Sequence, residues 1–158
     1  MPNYVQHALH RLQHSLPTRL QHAPHRHKKP VYGHRIQFSE SQDDSREVLL
    51  SASAKTLIQR IIGIFLYYGI ALDLTMLVAL GTLATQQSNP TESLWNDITW
   101  FLNYAASHPH AIFFFPASDM ILHIASDGSY LSESKSRIRV GGIFYLSSKL
   151  PQHNQAPD

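Results

Sequence analysis

Three groups of residues have types and spacings that could do chemistry. His7, His10 and His14 recur at intervals of three and four, which puts them on one side of a helix, where imidazoles approach closely enough to share a metal. His22, His25 and His27 form a second cluster in a proline-rich stretch. For both, the plainer reading is a solvated polar surface, because no carboxylate accompanies the imidazoles, and no metal site is assigned. The second group is cationic: Arg11, Arg19, Arg26, Lys28, Lys29 and Arg35 occur with no acidic residue before Phe38, so the N-terminal arm should attract polyanions although the whole chain carries only +2. The third is Asp127 within Ser126-Asp127-Gly128-Ser129, which as it stands is ordinary turn chemistry.

The elements that must position these groups follow from periodicity. Tyr4, Val5, Ala8, Leu9 and Leu12 form one apolar stripe at helical spacing, and Pro2 suits the first turn of that helix. Residues 15–44 carry three prolines and no sustained period, which predicts a basic loop or linker. Residues 54–70 are apolar nearly all round and predict a central, heavily buried helix, with Asp73 or Thr75 capping a second that runs to about Gln86. Asn89, Pro90 and Glu92 signal a third start, with Asn89 as the cap. Leu94, Trp95, Ile98, Phe101, Leu102 and Ala105 then share one face, and Trp100 lies off it.

Beyond His108-Pro109 the period changes to two. Residues 112–115, 120–125 and 137–147 predict three strands, the last two joined as an antiparallel hairpin through 128–136, with Asp127 accessible at a strand end. Gly141-Gly142 predicts a bulge or a close backbone approach.

Composition bounds the function classes. The chain has 158 residues, enough to bury a core, and 43% hydrophobic and 15% charged residues mark it as globular. The absence of cysteine excludes disulfides and thiolate metal sites. The N-terminus has no secretory signal, which predicts an intracellular protein. Residues 61–84 are long enough to span a bilayer, but Asp73 at their centre costs about 2.5 to 3.5 kcal/mol on insertion scales, so two soluble helices broken near Asp73 are preferred and no membrane association is expected.

Taken in order, these pieces resemble the polyprotein of copia-type retrotransposons. FLYYGIALDLTMLVALGTLATQQSNPTESLWNDITWFLNYAA (65–106) is similar to the helical segment that closes the reverse transcriptase. MILHIASDGSYLSESKSRIRVGGIFYLSS (120–148) is similar to the opening hairpin of its ribonuclease H domain, and MPNYVQHALHRLQH (1–14) to the helix that follows the polymerase palm. Asp73-Leu74-Thr75 departs from the Arg-Pro-Asp of many members.

The resemblance implies an α+β chain. It comprises a helix over 1–14, a basic loop over 15–52, three packed helices over 53–108, an incomplete ribonuclease H-like antiparallel hairpin with a short adjoining strand over 109–150, and a disordered tail over 151–158. It also implies that Asp127 descends from the first carboxylate of a ribonuclease H site, where a cluster of acids holds two magnesium ions about 3.5 to 4 Å apart. The other acids of such a site come from a helix and later strands, and the polymerase aspartates come from the palm. The expectation is therefore a polyprotein fragment, inactive by itself and binding no cofactor, whereas the complete parent would be a magnesium-dependent reverse transcriptase and ribonuclease H. The expected partners are nucleic acid, bound without sequence preference, and a second copy paired through an open sheet edge. Two rivals remain: a non-catalytic nucleic-acid-binding module, and a small membrane or scaffold protein using 61–84.

Overall fold

The computed structural model describes residues 1–26, 48–133 and 137–148. Among them the order is α1 (Tyr4–Arg11), α2 (Ala52–Ala71), a 3-10 turn (Leu74–Met76), α3 (Leu77–Gln86), α4 (Glu92–Ser107), β1 (Ile121–Glu133) and β2 (Arg137–Ser147). The protein is thus mixed, with four helices and a two-stranded antiparallel hairpin among the described residues. It divides into two compact units: described residues 1–26 and 48–113 form a helical one, and 114–133 with 137–148 form the other. Of the loop expected over 15–52, the described parts 15–26 and 48–51 hold no helix and α2 begins at Ala52, while 27–47 lie outside the described residues, as does the tail expected over 151–158.

The helical unit is built around residues that periodicity placed inward. Val5, Ala8 and Leu9 of α1 are buried as its stripe requires, although the helix starts at Tyr4, after Asn3 in a left-handed conformation, so Pro2 precedes the cap instead of opening the first turn. Ile58, Phe65, Met76, Leu80, Leu94, Ile98 and Phe101 are all 0% exposed, and the Phe65 and Phe101 rings meet edge-on at 5.2 Å. Each such side chain contributes about 1.5 to 3 kcal/mol relative to exposure. Tyr4 stacks on Tyr68 with centroids 5.5 Å apart, and its hydroxyl donates to the Ile64 carbonyl. The Tyr68 hydroxyl in turn accepts the Ala111 amide, which fastens the chain after α4 to α2.

α2 is buried on one side only. Ile58, Ile61, Ile62, Phe65, Tyr68 and Gly69 face inward while Leu57, Leu66, Tyr67 and Ile70 are exposed, so the expectation of a helix heavily buried all round is corrected. The physical reason is that α1, α3 and α4 meet one flank of it, and no further described element of this unit covers the other. Ser51 caps its start by accepting from the Ala54 amide. At its end the missing side chain of Gly69 admits α3, since a Cβ there would lie 3.0 Å from Leu77 Cδ2.

The break between α2 and α3 falls where the sequence placed it. Asp73, 8% exposed, accepts from the amide and the hydroxyl of Thr75, and the Thr75 hydroxyl also meets the Tyr104 hydroxyl at 3.1 Å. A buried carboxylate satisfied in this way stabilises the corner and ties it to α4. Among the described residues, no helix is long and apolar enough to cross a membrane.

Two expectations are corrected at α4 and after it. Thr91, not Asn89, is the cap: its hydroxyl accepts the Leu94 amide and the helix begins at Glu92. Pro90 is held in extended chain because its carbonyl accepts the Leu50 amide at 2.9 Å, within an isolated bridge that pairs Leu49 with Thr91. The strand expected over 112–115 does not form, since strand geometry persists only where a ladder satisfies the backbone and no described strand pairs with it.

In the second unit, β1 and β2 pair antiparallel as expected, with Leu122 opposite Leu146, Ile124 opposite Phe144, Ser126 opposite Gly142 and Gly128 opposite Val140. Successive residues alternate faces, so these eight side-chain positions share one face, and Ile121, His123, Ala125, Asp127, Ile143 and Tyr145 share the other. The predicted bulge at Gly141-Gly142 is absent. Both glycines sit in regular register, and the irregularity falls between Ser129 and Glu133. Nor is there a close approach: a Cβ at Gly142 would meet the Phe144 ring at 3.5 Å and the Ala125 carbonyl oxygen at 3.6 Å, ordinary van der Waals contact, and one at Gly141 would meet nothing within 4 Å.

Candidate functional site

Asp127 lies inside β1, opposite Gly141, and not at a strand end. The correction has a physical basis. Ser126-Asp127-Gly128-Ser129 has the composition of a turn, but each of the four pairs in register with β2, opposite Gly142, Gly141, Val140 and Arg139, so cross-strand pairing overrides the local turn preference. The expected accessibility holds: Asp127 is exposed, and its Oδ1 accepts the Gly128 amide at 2.8 Å. Its own face holds His123, which stacks on Tyr145 with centroids 5.1 Å apart and donates from Nε2 to the Ser148 carbonyl.

Two magnesium ions need several carboxylate oxygens around them. Among the described residues, no three His, Asp or Glu side chains are placed to hold a metal. Asp119 is exposed, and its amide donates to the Ser148 hydroxyl. Among the described residues, one exposed carboxylate already engaged with its neighbour's amide does not fit a two-metal centre.

The basic arm presents a different arrangement. Arg11 closes α1, where a cation suits the helix C-terminus, and Arg19 is exposed. Arg26 is exposed but engaged: its guanidinium lies 5.6 Å from the Trp100 ring centroid and its Nε is 3.5 Å from Asp97 Oδ1. Lys28, Lys29 and Arg35 lie outside the described residues, as do the side chains of Arg137 and Arg139.

The segment that carries Arg26 is strapped along α4 by polar contacts. His14 Nε2 meets Asn103 Oδ1 at 2.9 Å, the Gln21 amide donates to the Ser107 hydroxyl, His108 Nε2 donates to the Gln21 carbonyl, and the Trp100 indole N–H donates to the Ala23 carbonyl. Trp100, Arg26, His25 and Ala23 line a shallow depression there. His14 therefore takes part in fastening, and His22 lies 6.1 Å from the His108 ring.

Sequence reasoning singled out Trp100 as the aromatic off the apolar stripe, and its indole does serve the strap instead of the core. Asp97 was missed, although its spacing three residues before Trp100 puts both on one side of α4 and could have marked it as a partner for an arm cation. Trp95, by contrast, packs against the core, and Tyr68 is buried in it. Comparison with protein-family models, with curated proteins and with solved structures gives no match for the chain.

Proposed function

We propose that the chain is a segment of a copia-type retrotransposon polyprotein that joins the helical close of a reverse transcriptase to the opening hairpin of a ribonuclease H domain. The observation that carries the reading is the register of the hairpin: a carboxylate sits inside the first strand, accessible, with the Gly-Gly pair of the second strand opposite it and its neighbour. The helical unit with its capped α4 supports the same order. On this reading Asp127 is a catalytic residue by descent, and the described donors around it are too few for magnesium-dependent hydrolysis.

The activity left to such a chain is sequence-independent binding of nucleic acid through Arg11, Arg19, Lys28, Lys29 and Arg35, with Arg26 partly neutralised by Asp97. Reading the genomic frame on either side tests the origin. Palm sequence upstream and further ribonuclease H sequence downstream is the expected result, and an unrelated frame on both sides overturns it. For the activity, purified protein should bind a radiolabelled hybrid on filters in low salt and leave it uncut with magnesium or manganese. Cleavage abolished by Asp127→Asn would overturn the inactive assignment.

A further inference from the structure

We propose that the apolar face of the hairpin is a self-association surface, covered by the same face of a second copy of this chain. The inference stands on the hairpin's geometry and does not depend on the retrotransposon reading. Leu122, Ile124, Val140, Phe144 and Leu146 project from one face, Ile138 continues it by alternation, and all six are between 48% and 70% exposed. The rest of that face within the regular register is Ser126, Gly128 and Gly142, so it carries no charge. The opposite face differs in both respects: it holds Asp127 and His123, and its large apolar residues Ile121, Ile143 and Tyr145 are 41% to 43% exposed.

The chemistry of the face selects its occupant. Among its described residues this face offers no cation to a phosphate, which sets it apart from the basic arm. With roughly 150 to 200 Å² on side chains of this size, the exposed fractions leave on the order of 600 Å², which suits one side of a modest protein interface. A two-fold pairing needs one surface complementary to itself, and an uncharged aliphatic patch meets that condition without like charges being brought together. A two-stranded ribbon is marginal alone, so covering this face also stabilises the hairpin itself.

Sedimentation velocity of the full chain from about 1 to 100 µM tests the proposal, a range that covers the dissociation constants of modest interfaces. The expected result is a monomer–dimer equilibrium within that range. Phe144→Lys should weaken it at least tenfold, and Tyr145→Lys, on the opposite face, less than threefold. The helical far-UV signal reports that both variants keep the helical unit. A wild-type monomer throughout overturns the proposal. So does equal weakening by the two variants, which would indicate pairing along a strand edge, and so does flotation of wild type with neutral phosphatidylcholine vesicles without dimer formation, which would assign the face to lipid.

Discussion

The helical unit and the hairpin answer the same requirement, that apolar side chains leave water, with opposite success. In the helical unit α1, α3 and α4 close on one side of α2, and every buried hydrophobic residue among those described lies between Val5 and Ala106. The hairpin has a regular ladder from Ile121 opposite Ser147 to Ser129 opposite Arg139, but no other described element of its own unit packs against it, and its apolar side chains are exposed. Backbone pairing and core formation are thus separate achievements. A ladder satisfies amides and carbonyls, while stability comes from the area removed from water.

The largest effect that would separate the two units is a cavity in the core. Phe101→Ala should cost about 3 to 5 kcal/mol and remove most of the helical signal, since that is comparable with the whole stability of a small unit. Phe144→Ala on the hairpin should leave the thermal transition of the helical unit in place. Equal loss of helical signal in both variants, by circular dichroism, would mean that the units do not differ as described.

A smaller effect is expected at the corner between α2 and α3. Asp73→Ala leaves the Thr75 amide without its acceptor and the Thr75 hydroxyl with Tyr104 alone, which should cost about 1 to 3 kcal/mol by thermal melt. Removal of the Thr91 cap by Thr91→Ala should cost about 1 kcal/mol. A neutral outcome at Asp73 would show that the corner is held by packing alone.

How much of this was legible in the sequence depends on whether the signal was local. The stripe of α1, the Asp73 break and the alternation of 120–125 and 137–147 are set by neighbours in the chain, and the structure follows them. The cap at Thr91 was misplaced by two residues because Pro90 is recruited by Leu50, a partner 40 positions away that no local rule reveals. The same limit explains 112–115, whose strand-like composition lacks a described strand to pair with, and the outer side of α2, whose composition promised burial on every side. At the candidate site, the exposure of Asp127 was legible, whereas its place inside the ladder is set by pairing with β2, which the local turn composition of 126–129 does not show. The pairing of Arg26 with Asp97 required the strap, whose hydrogen bonds span 77 to 89 residues.

That pairing sharpens a further contrast, in binding. If all six arm cations met phosphates of a duplex, log affinity would fall with log salt at a slope of about −5, and partial engagement with Arg26 tied to Asp97 puts the expectation near −3. Glutamine at Arg11, Arg19, Lys28, Lys29 and Arg35 should remove most of the dependence, and Asp97→Asn should steepen it by up to ~0.9 by releasing Arg26. Deleting 1–37 is a poor substitute, because it strips Val5, Ala8 and Leu9 from the core. Glutamine at Arg137 and Arg139 should change little. A loss of binding there would move the interface to the hairpin. The smallest effect belongs to Asp127→Asn, an exposed substitution that should shift stability by less than ~0.5 kcal/mol.

Hydrogen exchange on the full chain at two concentrations, about a hundredfold apart, bears most directly on the difference between the units. Amides of α2, α3 and α4 should be protected equally at both, because their core is complete within one copy. Amides of β1 and β2 should exchange fast in the dilute sample and slow in the concentrated one, as the apolar face becomes covered. Uniform, concentration-independent protection from α2 through Ser147 in a monomer would contradict the account, because the hairpin would then be stable without the partner its exposed face requires.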